Sequence, residues 1–119
     1  MRKNIVAGNW KMNKDYPQAI TLINEIKTNK PNNNAEIILA TPYPYLAKAV
    51  ELVEGTTIKI AAQNMHQAEG GAFTGEVAAN MLTSIGFSTL FCVRSSAISS
   101  KRLICSQSPK LVFSFLTSL

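Results

Sequence analysis

The chain has 119 residues, of which 46% are hydrophobic, and a formal net charge of +5 at pH 7. This length and composition predict one ordinary globular domain, and no apolar run is long enough to span a membrane. We expect no signal peptide, because Gly8 and Asn9 interrupt the apolar run that follows Arg2 and Lys3. Cys92 and Cys105 are then predicted to be reduced thiols of a cytoplasmic protein.

The composition changes near Gly86. Residues 1–86 carry eight basic and seven acidic side chains, whereas residues 87–119 carry four basic side chains and no acidic one. All six glycines precede residue 87, and nine of the ten serines follow it. The positive charge is therefore local, and the tail lacks the interleaved aromatic residues of a nucleic-acid-binding module. We predict no nucleic-acid partner and treat residues 87–119 as a separate segment.

Residues 1–86 alternate strand and helix patterns. A short apolar strand, "NIVAGNW", precedes a predicted helix over Tyr16–Thr28, with Asp15 as its N-cap and Pro17 in its first turn. The later predicted elements are a strand that stops at Pro42, a helix in "YLAKAVELVE", a strand over Ile58–Ala62, and a Gly-rich loop with a short helix that ends at Gly86. Repeated β-α units predict an α/β fold with parallel strands and right-handed crossovers.

Polar residues follow the predicted strands, at the end of a parallel sheet where functional residues usually lie. The candidates are Asn9 and Lys11, then Thr41 and Tyr43, then Gln63, Asn64 and His66. Trp10 is interpreted as a packing residue and His66 as an ordinary hydrogen-bonded histidine, and no metal-ligand spacing surrounds His66. Two architectures remain open, part of a (β/α)₈ barrel and a small doubly wound sheet. The single glycine after the first strand disfavours a dinucleotide site.

Four motifs resemble one known family. "GNWKMN", "TPYPYL", "AAQNMH" and "GAFTGEVAANML", in this order and at these spacings, are similar to the N-terminal third of triosephosphate isomerase over about residues 4–86. The resemblance implies the first three to four β-α units of a TIM barrel. It also implies a cofactor-free homodimer that interconverts dihydroxyacetone phosphate and glyceraldehyde 3-phosphate in glycolysis and gluconeogenesis.

The resemblance also implies roles for individual residues. Asn9 and Lys11 match the family's substrate-binding pair, and Lys11 is the candidate catalytic residue; its ammonium would stabilise a phosphate and an enediolate. Gln63, Asn64 and Thr74 match residues that support the active site and the dimer. Thr74 resembles the tip of a loop that reaches into the neighbouring subunit.

The sequence departs from the family after Gly86. The family's fourth strand should end in "GHSERR", which supplies an electrophilic histidine, and later segments should supply the catalytic glutamate. Neither match is present in residues 87–119. We interpret this segment as a frameshifted or disordered tail: Ser100 to Leu103 can be encoded so that a neighbouring frame reads Phe-Lys-Glu-Thr, which resembles the family sequence after "GHSERR".

Three alternative functions of this chain are therefore considered. The first is a triosephosphate isomerase whose chain, as given, is truncated and inactive. The second is a non-catalytic fragment or phosphate-binding scaffold that retains Lys11 without turnover. The third is a basic interaction module, which would bind polyanions with a steep salt dependence.

Overall fold

The structure, a computed structural model, describes residues 4–29 and 35–86 and the backbone of residues 92–95. The helices and strands in these ranges follow one another in β-α units. They are β1 (Ile5–Asn9), α1 (Tyr16–Thr28), β2 (Glu36–Thr41), a 3₁₀ turn (Tyr43–Tyr45), α2 (Leu46–Val53), β3 (Ile58–Met65), α3 (Ala79–Ser84) and β4 (Cys92–Ser95). The architecture is α/β, as predicted.

The described strands form one parallel sheet in the order β1-β2-β3-β4. A doubly wound sheet reverses its strand order at a switch point, whereas a (β/α)₈ barrel adds each strand beside the previous one. The observed order contains no reversal. The structure therefore favours the barrel-type winding over the doubly wound alternative, and the described residues contain part of such a barrel.

The two faces of the sheet pack differently. One face supports the helices, and its core joins Leu39 and Ile60 to Ile23 of α1, Leu46 of α2 and Leu82 of α3. The opposite face, here called the inner face, carries a smaller cluster of β2 and β3 residues packed against β1. The members of this cluster are Ile38, Ala40 and Ala61, with Ile5 and Ala7 beside them. Strand alternation places Asn9 and Gln63 on this inner face, beyond Ala7 and Ala61.

The first helix confirms its predicted bounds and cap. The Asp15 carboxylate accepts a hydrogen bond from the Gln18 N–H at 3.0 Å, and the Gln18 side chain accepts one from the Asp15 N–H at 3.1 Å. This reciprocal pair is a capping box, and it satisfies backbone donors that the first helical turn leaves free. Local sequence was enough to locate this helix start.

Two strands differ from the prediction. β3 continues to Met65, three residues past the predicted end at Ala62, so Gln63 and Asn64 lie within the strand and not after it. β4 was not predicted, and it pairs with this extension through Asn64 beside Arg94 and Met65 beside Ser95. The extra pairing satisfies backbone groups that a strand ending at Ala62 would leave free. The remaining residues of the predicted tail lie outside the described ranges.

Within the described ranges, the longest helix has 13 residues, and no helix there is long and apolar enough to cross a membrane.

Candidate active site

Three of the sequence-predicted residues meet at the carboxyl end of the sheet. The side-chain oxygen of Asn9 accepts a hydrogen bond from the Lys11 N–H at 2.9 Å. The Gln63 amide donates to the Lys11 carbonyl at 2.9 Å and to the Ala40 carbonyl at 3.0 Å. Both backbone polar groups of Lys11 are thus held by side chains from two different strands. Asn9, Lys11 and Gln63 therefore lie together.

The backbone at Lys11 adopts a left-handed conformation, with φ of +54°. Residues other than glycine seldom adopt this conformation, because the side chain crowds the backbone. Such a conformation persists where surrounding contacts hold it, and the hydrogen bonds from Asn9 and Gln63 are contacts of this kind. The left-handed backbone and the two hydrogen bonds together fix the direction in which the Lys11 side chain extends from the loop.

The Lys11 ammonium is available to a ligand. The side chain is exposed, and among the described residues it forms no ion pair or hydrogen bond. The two ion pairs there join Lys48 to Glu51 and Lys59 to Glu36. An unpaired ammonium held at the end of a parallel sheet can bind an anion such as a phosphate.

Residues 10–15 form the β1–α1 loop, which has one further hydrogen bond to the sheet and one within the loop itself. The Trp10 N–H donates to the Ala40 carbonyl at 3.1 Å, and the Asn13 side chain donates to the Trp10 carbonyl at 2.9 Å. The Trp10 ring packs against the helix-side core, in agreement with its interpretation as a packing residue. It also lies 6.2 Å from the Tyr45 ring, measured between centroids, at an angle of 43°.

Tyr45 was not among the sequence candidates, yet it contacts the loop directly. Its hydroxyl lies 2.9 Å from the Asn13 carbonyl and 3.0 Å from the Lys14 carbonyl. Burial raises the pKa of this phenol above its usual value, and the nearby Asp15 carboxylate raises it further. The hydroxyl therefore keeps its proton and remains a donor. Only the "YPY" sequence after β2 could have drawn attention to it.

The other strand-end candidates lie beside this group. The Asn64 carbonyl accepts a hydrogen bond from the Tyr43 hydroxyl, which ties β3 to the turn after β2. The Thr41 side chain is fully buried, and its hydroxyl has no hydrogen-bond partner among the described atoms. Thr41 therefore faces the protein interior and not a ligand, unlike Lys11.

Thr74 lies apart from the other predicted site residues. It is exposed in residues 67–76, a loop that closes where the His66 N–H donates to the Val77 carbonyl at 2.8 Å. The His66 ring contacts the Phe73 ring at 4.3 Å between centroids, and its Nδ1 accepts a hydrogen bond from the Ala68 N–H at 3.1 Å. His66 is thus a hydrogen-bonded loop residue, as predicted. Among the described residues, no hydrogen bond joins Thr74 to Lys11 or Gln63.

Comparison with known proteins identifies the same family as the motifs. The triosephosphate isomerase family model matches residues 4–94, eight residues past the predicted boundary at residue 86 and across most of β4. The chain is similar to the triosephosphate isomerases of Flavobacterium psychrophilum and Flavobacterium johnsoniae, at 56% and 53% identity over 91 residues. These matches cover 76% of this chain and 36% of each relative. The enzyme of Alkaliphilus oremlandii is 46% identical over 86 residues, which are 72% of this chain and 35% of that protein. The chain thus spans about a third of these curated relatives.

Proposed function

We propose that this chain, which belongs to the triosephosphate isomerase family, carries the substrate-binding end of an isomerase active site. The substrate would be a phosphorylated triose, interconverted between dihydroxyacetone phosphate and glyceraldehyde 3-phosphate. Asn9 and Lys11 are the proposed substrate-binding residues, and Lys11 is the proposed catalytic residue. We place the reaction in glycolysis and gluconeogenesis, in the cytoplasm, as expected from the family.

One observation carries the proposal. The Lys11 ammonium, which has no partner within residues 4–29 and 35–86, extends from a backbone that two strands hold in a left-handed conformation. A fixed ammonium can stabilise both the phosphate dianion and the negative charge that develops on an enediolate oxygen. Because the cation is held before the substrate arrives, less free energy is lost in reorganising it.

Proton transfer requires more than this cation. A general base must lie within hydrogen-bond reach of the substrate proton, and such a group contributes about 10²- to 10⁴-fold to the rate. The chain has no match to the electrophilic histidine or to the basic glutamate of the family, and its one histidine, His66, belongs to the loop that carries Thr74. We therefore propose that these 119 residues bind the substrate without measurable turnover.

Binding tests the first part of this proposal. The full chain would be titrated with dihydroxyacetone phosphate and separately with inorganic phosphate, and amide shifts at Lys11 would be followed by NMR. Lys11→Ala should weaken binding about tenfold to a hundredfold, since it removes a charge-assisted hydrogen bond. Lys48→Ala is the matched control, because Lys48 pairs with Glu51 on α2. Equal affinities of the Lys11→Ala variant and the original chain would contradict the role of Lys11.

A coupled isomerase assay tests the second part. We expect no rate above background from the 119 residues. Isomerisation by this chain that Lys11→Ala removes would show that the missing histidine and glutamate are not required.

We infer that the sequence after the family match arises from out-of-frame translation. The match ends at residue 94, and the composition changes close to that point. Resequencing the gene decides the matter: a shifted frame should continue the isomerase sequence. A gene with the frame restored should encode an active enzyme, and Lys11→Ala should remove most of that activity. The inference fails if no shifted frame resembles the family.

We also propose a homodimer, in which Thr74 reaches the active site of the second subunit and Gln63 and Asn64 support the interface. The loop of Thr74 is exposed, and Phe73 within it is half exposed. Analytical ultracentrifugation of the restored enzyme should give a dimer, and Thr74→Arg should shift the equilibrium towards monomer. A dimer unaffected by Thr74→Arg would contradict the assignment of this loop to the interface.

A further inference from the structure

The β1–α1 loop contains a second residue with a left-handed backbone. Lys14 has φ of +73°, and Lys11 has φ of +54°. Two such residues within one short loop, neither of them glycine, make the observed path unfavourable for the isolated segment. The loop must therefore be held by contacts from outside it. Those contacts decide where the Lys11 ammonium lies.

Asn9 and Gln63 account only for the start of the loop, because both bind the Lys11 backbone. The next polar contact, from the Asn13 side chain to the Trp10 carbonyl, joins two residues of the loop itself. The second half of the loop is held from outside by Tyr45, whose hydroxyl reaches the carbonyls of Asn13 and Lys14.

We propose that Tyr45 is a positioning residue for Lys11. Its ring packs beside Trp10 and its hydroxyl binds Asn13 and Lys14, so a single buried side chain contacts the loop on both sides of Lys11. Tyr45 lies in the turn that leads into α2, and only 4% of its surface is exposed. The inference rests on the proposed function insofar as Lys11 binds the substrate phosphate.

The first experiment compares Tyr45→Phe with the original 119-residue chain by NMR. Two NMR signals, together called the Lys11 signature, report the left-handed conformation. They are the three-bond coupling between the Lys11 amide and α protons and the nuclear Overhauser effect between the same protons. We expect both signals to average towards ordinary φ values in Tyr45→Phe. Affinity for dihydroxyacetone phosphate should fall about threefold to tenfold, the effect of losing one hydrogen bond. Amide exchange at Leu39 in β2 reports whether the sheet remains folded.

Tyr16→Phe is the matched control. It removes the same hydroxyl from a half-exposed ring in the first turn of α1, outside the β1–α1 loop. Neither the Lys11 coupling nor the affinity should change in this variant. An unchanged Lys11 signature and affinity in Tyr45→Phe, with a folded sheet, would overturn the proposal.

Lys14→Gly provides a second comparison. Glycine adopts a positive φ without steric cost, so the loop should depend less on Tyr45 in this background. The effect of Tyr45→Phe on the Lys11 signature should therefore be smaller when Lys14→Gly is present, which a double-mutant cycle measures. Full additivity would contradict the proposal. If the Tyr45→Phe variant does not fold, the variant that combines it with Lys14→Gly should still fold. If neither variant folds, Tyr45 acts only as a core residue and the proposal is contradicted.

The two proposals fail in different ways. If the original chain binds neither dihydroxyacetone phosphate nor inorganic phosphate, the proposed function is contradicted, while the Lys11 backbone signature still tests Tyr45. If phosphate binds through Lys11 and Tyr45→Phe changes nothing, only the positioning role is lost.

Discussion

Replacing Thr41 by valine should stabilise the fold. The Thr41 side chain is 0% exposed, and its hydroxyl has no hydrogen-bond partner in the described part of the chain. Valine has nearly the same shape and is equally suited to a strand, so the change exchanges a desolvated hydroxyl for a methyl group. The backbone pairing of Thr41 with Ala62 should be unaffected.

The magnitude follows from the cost of the hydroxyl. Burial of a hydroxyl without a hydrogen bond costs about 1–3 kcal/mol in mutational data. We therefore expect Thr41→Val to raise the free energy of unfolding by about 1–3 kcal/mol. Thr56→Val is the matched control of opposite sign, because the Thr56 hydroxyl donates to the Val53 carbonyl at 2.7 Å and accepts from the Ile58 N–H at 3.2 Å. That variant should lose about 1–2 kcal/mol.

Urea unfolding followed by fluorescence measures both changes. Trp10 is the only tryptophan and packs against the core, so its emission reports the folded sheet. Amide exchange at Leu39 and Ile60 provides a second measurement that does not require a two-state transition. If Thr41→Val and Thr56→Val destabilise the chain equally, the Thr41 hydroxyl has a partner and the reasoning is refuted.

Three further predictions concern the site and its loop. Gln63→Met removes both hydrogen bonds of the Gln63 amide. The free energy that holds the Lys11 backbone should fall by about 1–3 kcal/mol, and phosphate binding should weaken. Gln67→Met changes an exposed side chain and should leave the phosphate titration unchanged. Asp15→Ala removes the N-cap of α1 and should cost about 1 kcal/mol, with faster exchange of the first-turn amides; unchanged exchange would argue against the cap. The raised pKa of Tyr45 contributes stability below about pH 10, and this stability should be lost as the pH rises through the folded-state value. Titration of phenolate absorbance should contain a late component from Tyr45, and Tyr45→Phe should remove this component.

The start of α1 could be predicted because its signals are local. Asp15 and Pro17 lie two residues apart, and each acts on the first turn of the same helix. The end of β3 could not be predicted in this way. Gln63 and Asn64 are polar, so they indicate a strand end, but pairing of Asn64 with β4 keeps the backbone extended to Met65. Pairing between distant strands overrides the local preference.

The motif predicts the position of Lys11 in the chain, whereas the conformation of its backbone depends on the fold. The "GNWKMN" motif predicts that a lysine follows β1, and in the structure the N–H of this lysine donates to the Asn9 side chain. Its left-handed backbone is not predictable from these six residues, because Asn9 supplies only one of its contacts. Gln63 binds the Lys11 carbonyl, and Tyr45 binds the loop beside it; both lie more than 30 residues away along the chain. Parallel β-α winding brings these residues to the end of β1. A chain that carried the motif without the second and third β-α units would retain the lysine but lose its orientation.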